Sequence, residues 1–227
     1  MEQRSSQNPA AELATILQKS IANHSGDTVC FLAGGSAFAI FDHLKLDADS
    51  KGRTIFCMGD ERVSGESDVN NYLQLIDTLG SESDLQIIDT SSKPQELPKQ
   101  FATRIKHKIS EKLFSLDQPQ IICILGIGTD GHTAGIFPMT LESFQKTYQA
   151  DPMYVEVHTK ASEANLRASL TPDWILGKAN LILGYATGEI KCKTVIRELC
   201  NRNYELHEMP AQIIKQHKNS ILFTDCV

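Results

Sequence analysis

The chain has little basic charge to spare. Its 22 lysines and arginines are outnumbered by 28 aspartates and glutamates, a formal net charge of -6 over 227 residues. Nucleic acids and membrane surfaces are polyanions that call for a basic face, so neither is expected as a partner. Any anionic ligand must be met by local positive charge. Long apolar runs are missing too. No stretch approaches the ~18 apolar residues of a membrane span, and residues 1–14 lack the apolar run of a secretory signal, so the cytoplasm is the expected location. The cysteines Cys30, Cys57, Cys123, Cys192, Cys200 and Cys226 form no C-x-x-C pair. The first three lie in apolar strand-like runs, where cysteine behaves as a small hydrophobe, and reduced thiols are expected throughout. His207-Glu208 has no second histidine at the H-E-x-x-H spacing, and no Walker A loop occurs. Ser36 is not in a G-x-S-x-G elbow, because Phe38 takes the last position. Metal catalysis, P-loop chemistry and a serine nucleophile are therefore not expected.

What is present is the make-up of a globular protein, 41% hydrophobic and 22% charged. Residues 1–227 read as one domain, large enough to bury roughly 70% of its unfolded surface without a disulfide or metal staple. Asn8-Pro9 opens an amphipathic helix with Leu13, Ile16, Leu17 and Ile21 on one face. Residues 28–33 form a short apolar run that ends in Gly34-Gly35, and 37–44 look helical. The same grammar recurs: 53–58 strand, 70–79 helix, 85–89 strand, 98–114 helix. Strand-like runs follow at 120–125, 153–158, 179–185 and 221–224, with helices at 189–199 and 209–216 and a loop-like polar bias over 81–92. Strands alternating with helices predict an α/β fold, a Rossmann-like, doubly wound, mainly parallel sheet with helices on both faces. The ligand crevice of such a sheet lies beyond the carboxyl ends of its strands.

The unusual residues collect at those ends. Gly34-Gly35-Ser36 follows the first apolar strand, Asp60-Glu61-Arg62 the second, Asp130-Gly131-His132 the most apolar one, and residues 188–191 the penultimate one. In a parallel sheet these segments converge on one pocket. The glycine pair is either a tight turn or a cradle whose backbone N–H groups approach an anion at a helix start. Arg62 would grip phosphate with a rigid fork, Lys191 as a point charge, and Arg167 is a third candidate cation. Gly126 to Gly131 matches G-x-G-x-x-G, but Pro138 comes too soon for the helix that a dinucleotide pyrophosphate needs. The same glycines instead allow a sharp turn that presents His132 beside Asp130, an arrangement suited to a general base.

Taken together, these residues resemble the 6-phosphogluconolactonase family, within the wider glucosamine-6-phosphate isomerase/deaminase superfamily. Gly126-Ile127-Gly128-Thr129-Asp130-Gly131-His132-Thr133-Ala134-Gly135-Ile136-Phe137-Pro138 is similar to that family's G-x-G-x-D-G-H-T-A-S-L-F-P. Asp60-Glu61-Arg62-Val63 with Asn70-Asn71-Tyr72 resembles its D-E-R-x-V and S-N-Y block. Arg167 to Thr171 resembles R-I-T-L-T, Gly188 to Lys191 G-x-x-K, and Met209-Pro210-Ala211 L-P-A. The resemblance implies hydrolysis of 6-phospho-D-glucono-1,5-lactone to 6-phosphogluconate in the oxidative pentose phosphate pathway, with no metal or organic cofactor; a monomer or homodimer is expected, and the sequence does not choose between them. It implies His132 as general base, Asp60, Arg62, Arg167 and Lys191 as substrate and phosphate contacts, and Gly34 and Gly35 as the phosphate turn. Two departures remove hydroxyls: Ala37 stands where the family has threonine, and Gly135 where it has serine. A lost hydroxyl bond to phosphate is worth about 1 kcal/mol or somewhat more. The rival functions are an amino-sugar phosphate deaminase, whose motif continues N-E-P where this chain has Gly135 to Pro138, and a non-catalytic sugar-phosphate sensor.

Overall fold

Apolar residues alternate along the central strands, and each set meets a different layer of helices. In the strand Thr28–Leu32, Val29 and Phe31 enter one core cluster and Cys30 and Leu32 the other. All five residues of this strand are buried, the pattern of a parallel strand covered on both faces. The structure is a computed structural model that describes residues 1–66, 68–80, 83–93, 96–159 and 165–226; positions 81 and 82 of the polar stretch 81–92 lie outside the described residues.

In chain order the strands are β1 Glu2–Ser5, β2 Thr28–Leu32, β3 Thr54–Met58, β4 Asp60–Arg62, β5 Gln86–Ile87, β6 Gln120–Gly126, β7 Tyr154–His158, β8 Leu166–Leu170, β9 Leu181–Ala186 and β10 Ser220–Thr224. The α-helices are α1 Pro9–Asn23, α2 Ala48–Gly52, α3 Asn71–Leu79, α4 Pro98–Phe114, α5 Leu141–Tyr148, α6 Pro172–Lys178, α7 Glu189–Lys191, α8 Arg197–Asn201 and α9 Gln212–Gln216. Seven strands form one sheet in the order β1-β10-β9-β6-β2-β3-β5, every pair parallel. The chain winds outward from β2 to β3 and β5, then crosses back to β6 on the other side of β2. Order reverses between β2 and β6, so the loops leaving those neighbours diverge and open a crevice at their carboxyl ends.

The first core cluster packs α4, through Phe101, Ile105 and Ile109, together with Ile175 of α6 and Ile213 and Ile214 of α9. The second packs Leu13, Leu17 and Ile21 of α1 with Phe38 and Ile40 of a 3-10 helix, Gly35–Asp42. Asn8 caps α1, its side-chain oxygen accepting from Ala11 N at 3.1 Å, as the Asn-Pro signal predicts. Helices thus cover both faces, as the alternating sequence pattern implies.

Three expectations are corrected. Residues 153–158 do not join the parallel sheet; β7 belongs to a separate antiparallel ribbon in the order β4-β8-β7. The expected continuous helix over 189–199 is interrupted: α7 passes into a five-residue π turn, Cys192–Ile196, before α8. The thiols are not all reduced: Cys192 and Cys226 form a disulfide with their Cα atoms 5.2 Å apart, while Cys30, Cys57 and Cys123 are free and buried as expected.

Candidate active site

The antiparallel ribbon fixes the cationic side of the crevice. Pairing of β4 with β8 sets Arg62 directly opposite Arg167, and Asp60 opposite Ser169. Arg167 Nη1 donates to Asp60 Oδ2 at 3.1 Å. The two side chains are only 6% and 4% exposed, so the pair is desolvated and each partner depends on the other's charge. Burial and the nearby Arg167 pull the Arg62 guanidinium below its ordinary pKa, with Asp60 and Glu61 acting in opposition. Arg62 Nη1 donates to Val69 O at 3.3 Å.

Glu61 points away from the crevice and braces this corner. Its carboxylate accepts from the backbone N–H groups of Arg62, Asn71 and Tyr72 and from the Thr90 hydroxyl, at 2.7–2.9 Å. Two of those N–H groups are the unpaired donors of the first turn of α3, so a buried acidic side chain satisfies a helix start. Burial pushes its carboxyl up from 4.5 to about 8, against the pull of these donors. Glu61→Gln should destabilise the protein by about 1–3 kcal/mol, because an amide nitrogen then faces a donor. A folded-state pKa above the unfolded one adds stability at low pH that fades as pH rises. The advantage of the parent over this variant should therefore shrink between pH 4.5 and about 8 and then level off, as denaturant titrations across that range would show.

The loop after β6 carries the imidazole. Gly131 adopts φ +85° and the turn closes through Gly131 N–H donating to Gly128 O at 3.0 Å. A Cβ on Gly128 would lie 2.1 Å from the His132 ring and 2.8 Å from Asp130 Oδ1, so only glycine lets the ring lie on the backbone there. His132 Nδ1 and Asp130 Oδ1 are 2.5 Å apart, and the same oxygen accepts from the His132 backbone N–H at 3.1 Å. Burial alone would raise the Asp130 pKa, but the hydrogen bonds and charge of His132 outweigh it and hold the carboxyl below its ordinary value. An ionised Asp130 accepts a hydrogen bond from Nδ1–H and leaves Nε2 as the basic nitrogen. The ring stacks on Phe137 with centroids 4.7 Å apart, and Arg167 Cζ lies 5.1 Å from the centroid of that same Phe137 ring.

Behind the histidine the backbone is strained. Ala134 has φ +48°, a conformation that costs a residue with a Cβ about 1–2 kcal/mol. It persists because its surroundings hold it: Tyr148 OH donates to Gly135 O and accepts from Phe137 N–H, both at 2.9 Å, and Thr133 Oγ1 donates to Gly126 O at 2.7 Å. From the C-terminal side Ala211 N–H donates to Gly131 O at 2.9 Å. The two departures from the family motif acquire a physical account. Ala37 is buried in the second core cluster, away from the crevice, so a hydroxyl there would face apolar side chains. A Cβ on Gly135 would meet Ser169 Cβ at 2.7 Å and Asp60 Cβ at 3.3 Å. Gly135→Ser should therefore destabilise by roughly 1–3 kcal/mol, the usual cost of overpacking. Adding Ser169→Gly, which removes the colliding carbon, should recover part of the loss in a thermal melt.

A cavity of about 200 Å³ opens here, lined by Ala33, Gly34, Ser36, Asp60, Arg62, Asn71, Gly126, Ile127, Gly128, His132, Ala134, Arg167 and Lys191. At about 30 Å³ per water, it has the scale of a monosaccharide phosphate and is small for a dinucleotide. Three cationic side chains and one carboxylate line it, local positive charge in an acidic chain. Of the residues singled out in the sequence, Gly34, Ser36, Asp60, Arg62, His132, Arg167 and Lys191 line the cavity. Asp130 stands behind His132, and Gly35, at φ +68°, lines a different, outer hollow with Phe38. Lys191 enters from α7, whose capping residue Gly188 has φ +102°. Burial draws its ammonium pKa below the ordinary lysine value, and Asp225 opposes that. Sequence reasoning gave Gly128 a part in the turn that presents His132 but no role to Phe137, Tyr148 or Ser169; Phe137 and Ser169 stand within the quoted motifs, whereas Tyr148 carried no signal. Among the described residues, one trio of possible metal ligands lies close together, Cys192, Asp225 and Cys226, and its two sulfurs are bonded to each other.

A family model described as glucosamine-6-phosphate isomerases/6-phosphogluconolactonase matches residues 2–223. A 6-phosphogluconolactonase of Borreliella burgdorferi is 27% identical over 108 residues, which is 45% of this chain and 41% of that relative; the match thus spans less than half of the relative's length. Among solved structures, a 6-phosphogluconolactonase from Shewanella baltica superposes with a TM-score of 0.76 at 21% identity, covering 98% of this chain and 96% of that one. One from Trypanosoma brucei gives 0.73 at 21% identity, covering 98% and 95%. At such identity the two structures establish the fold.

Proposed function

The chain belongs to the glucosamine-6-phosphate isomerase/6-phosphogluconolactonase family, and on that premise we propose that it is a 6-phosphogluconolactonase, hydrolysing 6-phospho-D-glucono-1,5-lactone to 6-phospho-D-gluconate. The observation that carries this reading is one basic nitrogen, His132 Nε2, in a small cavity that also holds Arg62, Arg167 and Lys191. A lactone carrying a distant phosphate needs those two features together: a base beside the ester carbon and cations at the far end.

In the mechanism, Asp130 fixes the imidazole through Nδ1 and Nε2 takes a proton from a water that attacks the lactone carbonyl. The electron pair displaced onto the carbonyl oxygen returns to expel the ring oxygen, which leaves as the C5 hydroxyl after receiving the proton from Nε2. Backbone N–H groups of the glycine turns stabilise the developing oxyanion, and Arg62 and Arg167 of the ribbon serve the phosphate end. Gly34 and Ser36, at the start of the 3-10 helix, and Lys191 hold the phosphate. Because the phosphate is remote from the reacting carbon, its binding energy serves to orient the ring. Lys191→Ala should raise KM about 10- to 100-fold, the worth of one bond to a charged group, with a smaller change in kcat. The two cores on either side of one sheet support reading residues 1–227 as a single domain, and the net charge of -6 fits an enzyme of sugar-phosphate metabolism in the cytoplasm.

The test is proton release from freshly generated phosphogluconolactone, with spontaneous hydrolysis subtracted. Enzyme-dependent release is expected; its absence, with ammonia released from glucosamine 6-phosphate instead, would assign the deaminase activity. Binding of 6-phosphogluconate without turnover of either substrate would leave a sugar-phosphate sensor.

A further inference from the structure

We propose that the Cys192–Cys226 disulfide is a thiol-operated clasp on the phosphate side of the cavity: closed, it orders the segment that carries Lys191, and opened by a dithiol reductant it frees that segment and weakens phosphate binding. The inference deepens the reading above and rests on Lys191 as a phosphate contact.

The residue directly after Lys191 is covalently tied to a residue 34 positions later in the chain. Its neighbour Asp225 holds the other end of the same short helix: Gly188 N–H donates to both carboxylate oxygens of Asp225, at 2.9 and 3.0 Å. The segment after β10 therefore grips α7 at its cap and at its last turn. The helix has little else to hold it. It is three residues long and contributes no buried residue, Ile190 is 71% exposed, and a π turn follows, an arrangement often found at functional sites. The bond is also within reach of a reductant: a cleft of about 500 Å³ is lined by Glu189, Cys192, Lys193, Arg197, Asp225 and Cys226. The three fully buried thiols have no such access. A fold with two apolar cores has no need of the bond as a staple, unlike the small domains in which disulfides replace a core.

Opening proceeds by ordinary exchange. A reductant thiolate attacks Cys226 Sγ, forming a mixed disulfide and expelling the Cys192 sulfur, which takes up a proton. The second thiol of the reductant then attacks its own sulfur in the mixed disulfide, closing its ring and releasing the Cys226 thiol. Two electrons and two protons pass to the protein, and the dithiol becomes a cyclic disulfide. Asp225 and Lys191 then keep only non-covalent restraints.

The test compares air-oxidised with dithiothreitol-reduced protein, and with Cys226→Ser treated in both ways. Amide hydrogen exchange is followed over residues 188–196, and binding of 6-phosphogluconate by calorimetry. Reduction should speed exchange in that segment at least tenfold, leave β2 and β6 unchanged, and weaken 6-phosphogluconate binding several-fold, while Cys226→Ser behaves as reduced protein throughout. Six titratable thiols in the oxidised protein, unchanged exchange on reduction, or the same response in Cys226→Ser would overturn the clasp. Faster exchange with unaltered affinity would overturn it too. If oxidised protein does not bind 6-phosphogluconate at all, the reading of the site fails, and the exchange measurement still decides whether the disulfide orders the segment.

Discussion

His132→Ala should lower kcat by about a hundred- to ten-thousand-fold, the usual contribution of a positioned general base, and leave KM within a few-fold of the parent. The asymmetry follows from geometry. His132 sits on a glycine turn at one wall of the cavity, while the charges suited to phosphate come from β4, β8 and α7. Removing the ring therefore takes away proton transfer without taking away the anion grip. The stacked contact with Phe137 is also lost, but that ring is 3% exposed and held from behind by the Tyr148 hydroxyl on its own backbone N–H, so the fold should survive. Stopped-flow or pH-stat rates, corrected for spontaneous hydrolysis, read the effect directly. Turnover within threefold of the parent would remove His132 from the role of base.

The second large effect is on stability. Arg167→Leu leaves Asp60 as a carboxylate 4% exposed with its ion-pair partner removed. Breaking a buried pair in this way costs roughly 3–5 kcal/mol, and at about 2–4 °C per kcal/mol for a chain of this size the melting temperature should fall by roughly 6–20 °C. Adding Asp60→Asn should restore part of that loss, because a buried neutral amide needs only hydrogen-bond partners whereas a lone carboxylate needs a counter-charge. The non-additivity of the double variant is the diagnostic quantity. A fall of under 2 °C for Arg167→Leu would show that the pair carries little of the ribbon's stability. The same arginine faces the cavity, so the single variant should also bind 6-phosphogluconate more weakly; the double variant should remain weak even as its stability recovers. That divergence separates the structural role of Arg167 from its role towards the ligand.

Much of the architecture is legible because the driving forces are local in sequence. The helix that starts at Asn8-Pro9 begins where its cap says it should, and the amphipathic helix over 98–114 has the expected bounds. The central strands are short apolar runs, and their burial on both faces follows from helices filling the intervals between them. The crevice was equally readable: in a parallel sheet every strand leaves at the same edge, so Gly34, Arg62, His132 and Lys191, each just beyond a strand, had to come near one another.

Other parts have no local signal. β1 is a polar edge strand, Glu-Gln-Arg-Ser, largely exposed, and it exists because its backbone pairs with β10. β4 is three polar residues and becomes a strand only because β8 lies alongside. That pairing alone makes Arg62 and Arg167 neighbours across 104 intervening positions, turning two separate cations into one cationic surface. The bracing of Asp130 against His132 was readable from their separation of two residues, but the ring's seat on Gly128, the prop from Tyr148 and the missing space at Gly135 depend on what folds against them.

The order of residues thus settles the longer helices, the central apolar strands and which loops meet beyond their carboxyl ends, because periodicity, capping and chain winding act along the backbone. Which cations face each other, which thiols join and which glycines are irreplaceable is decided by atoms brought together from distant stretches, where contact distance and exclusion of water, and no pattern of spacing, set the energy.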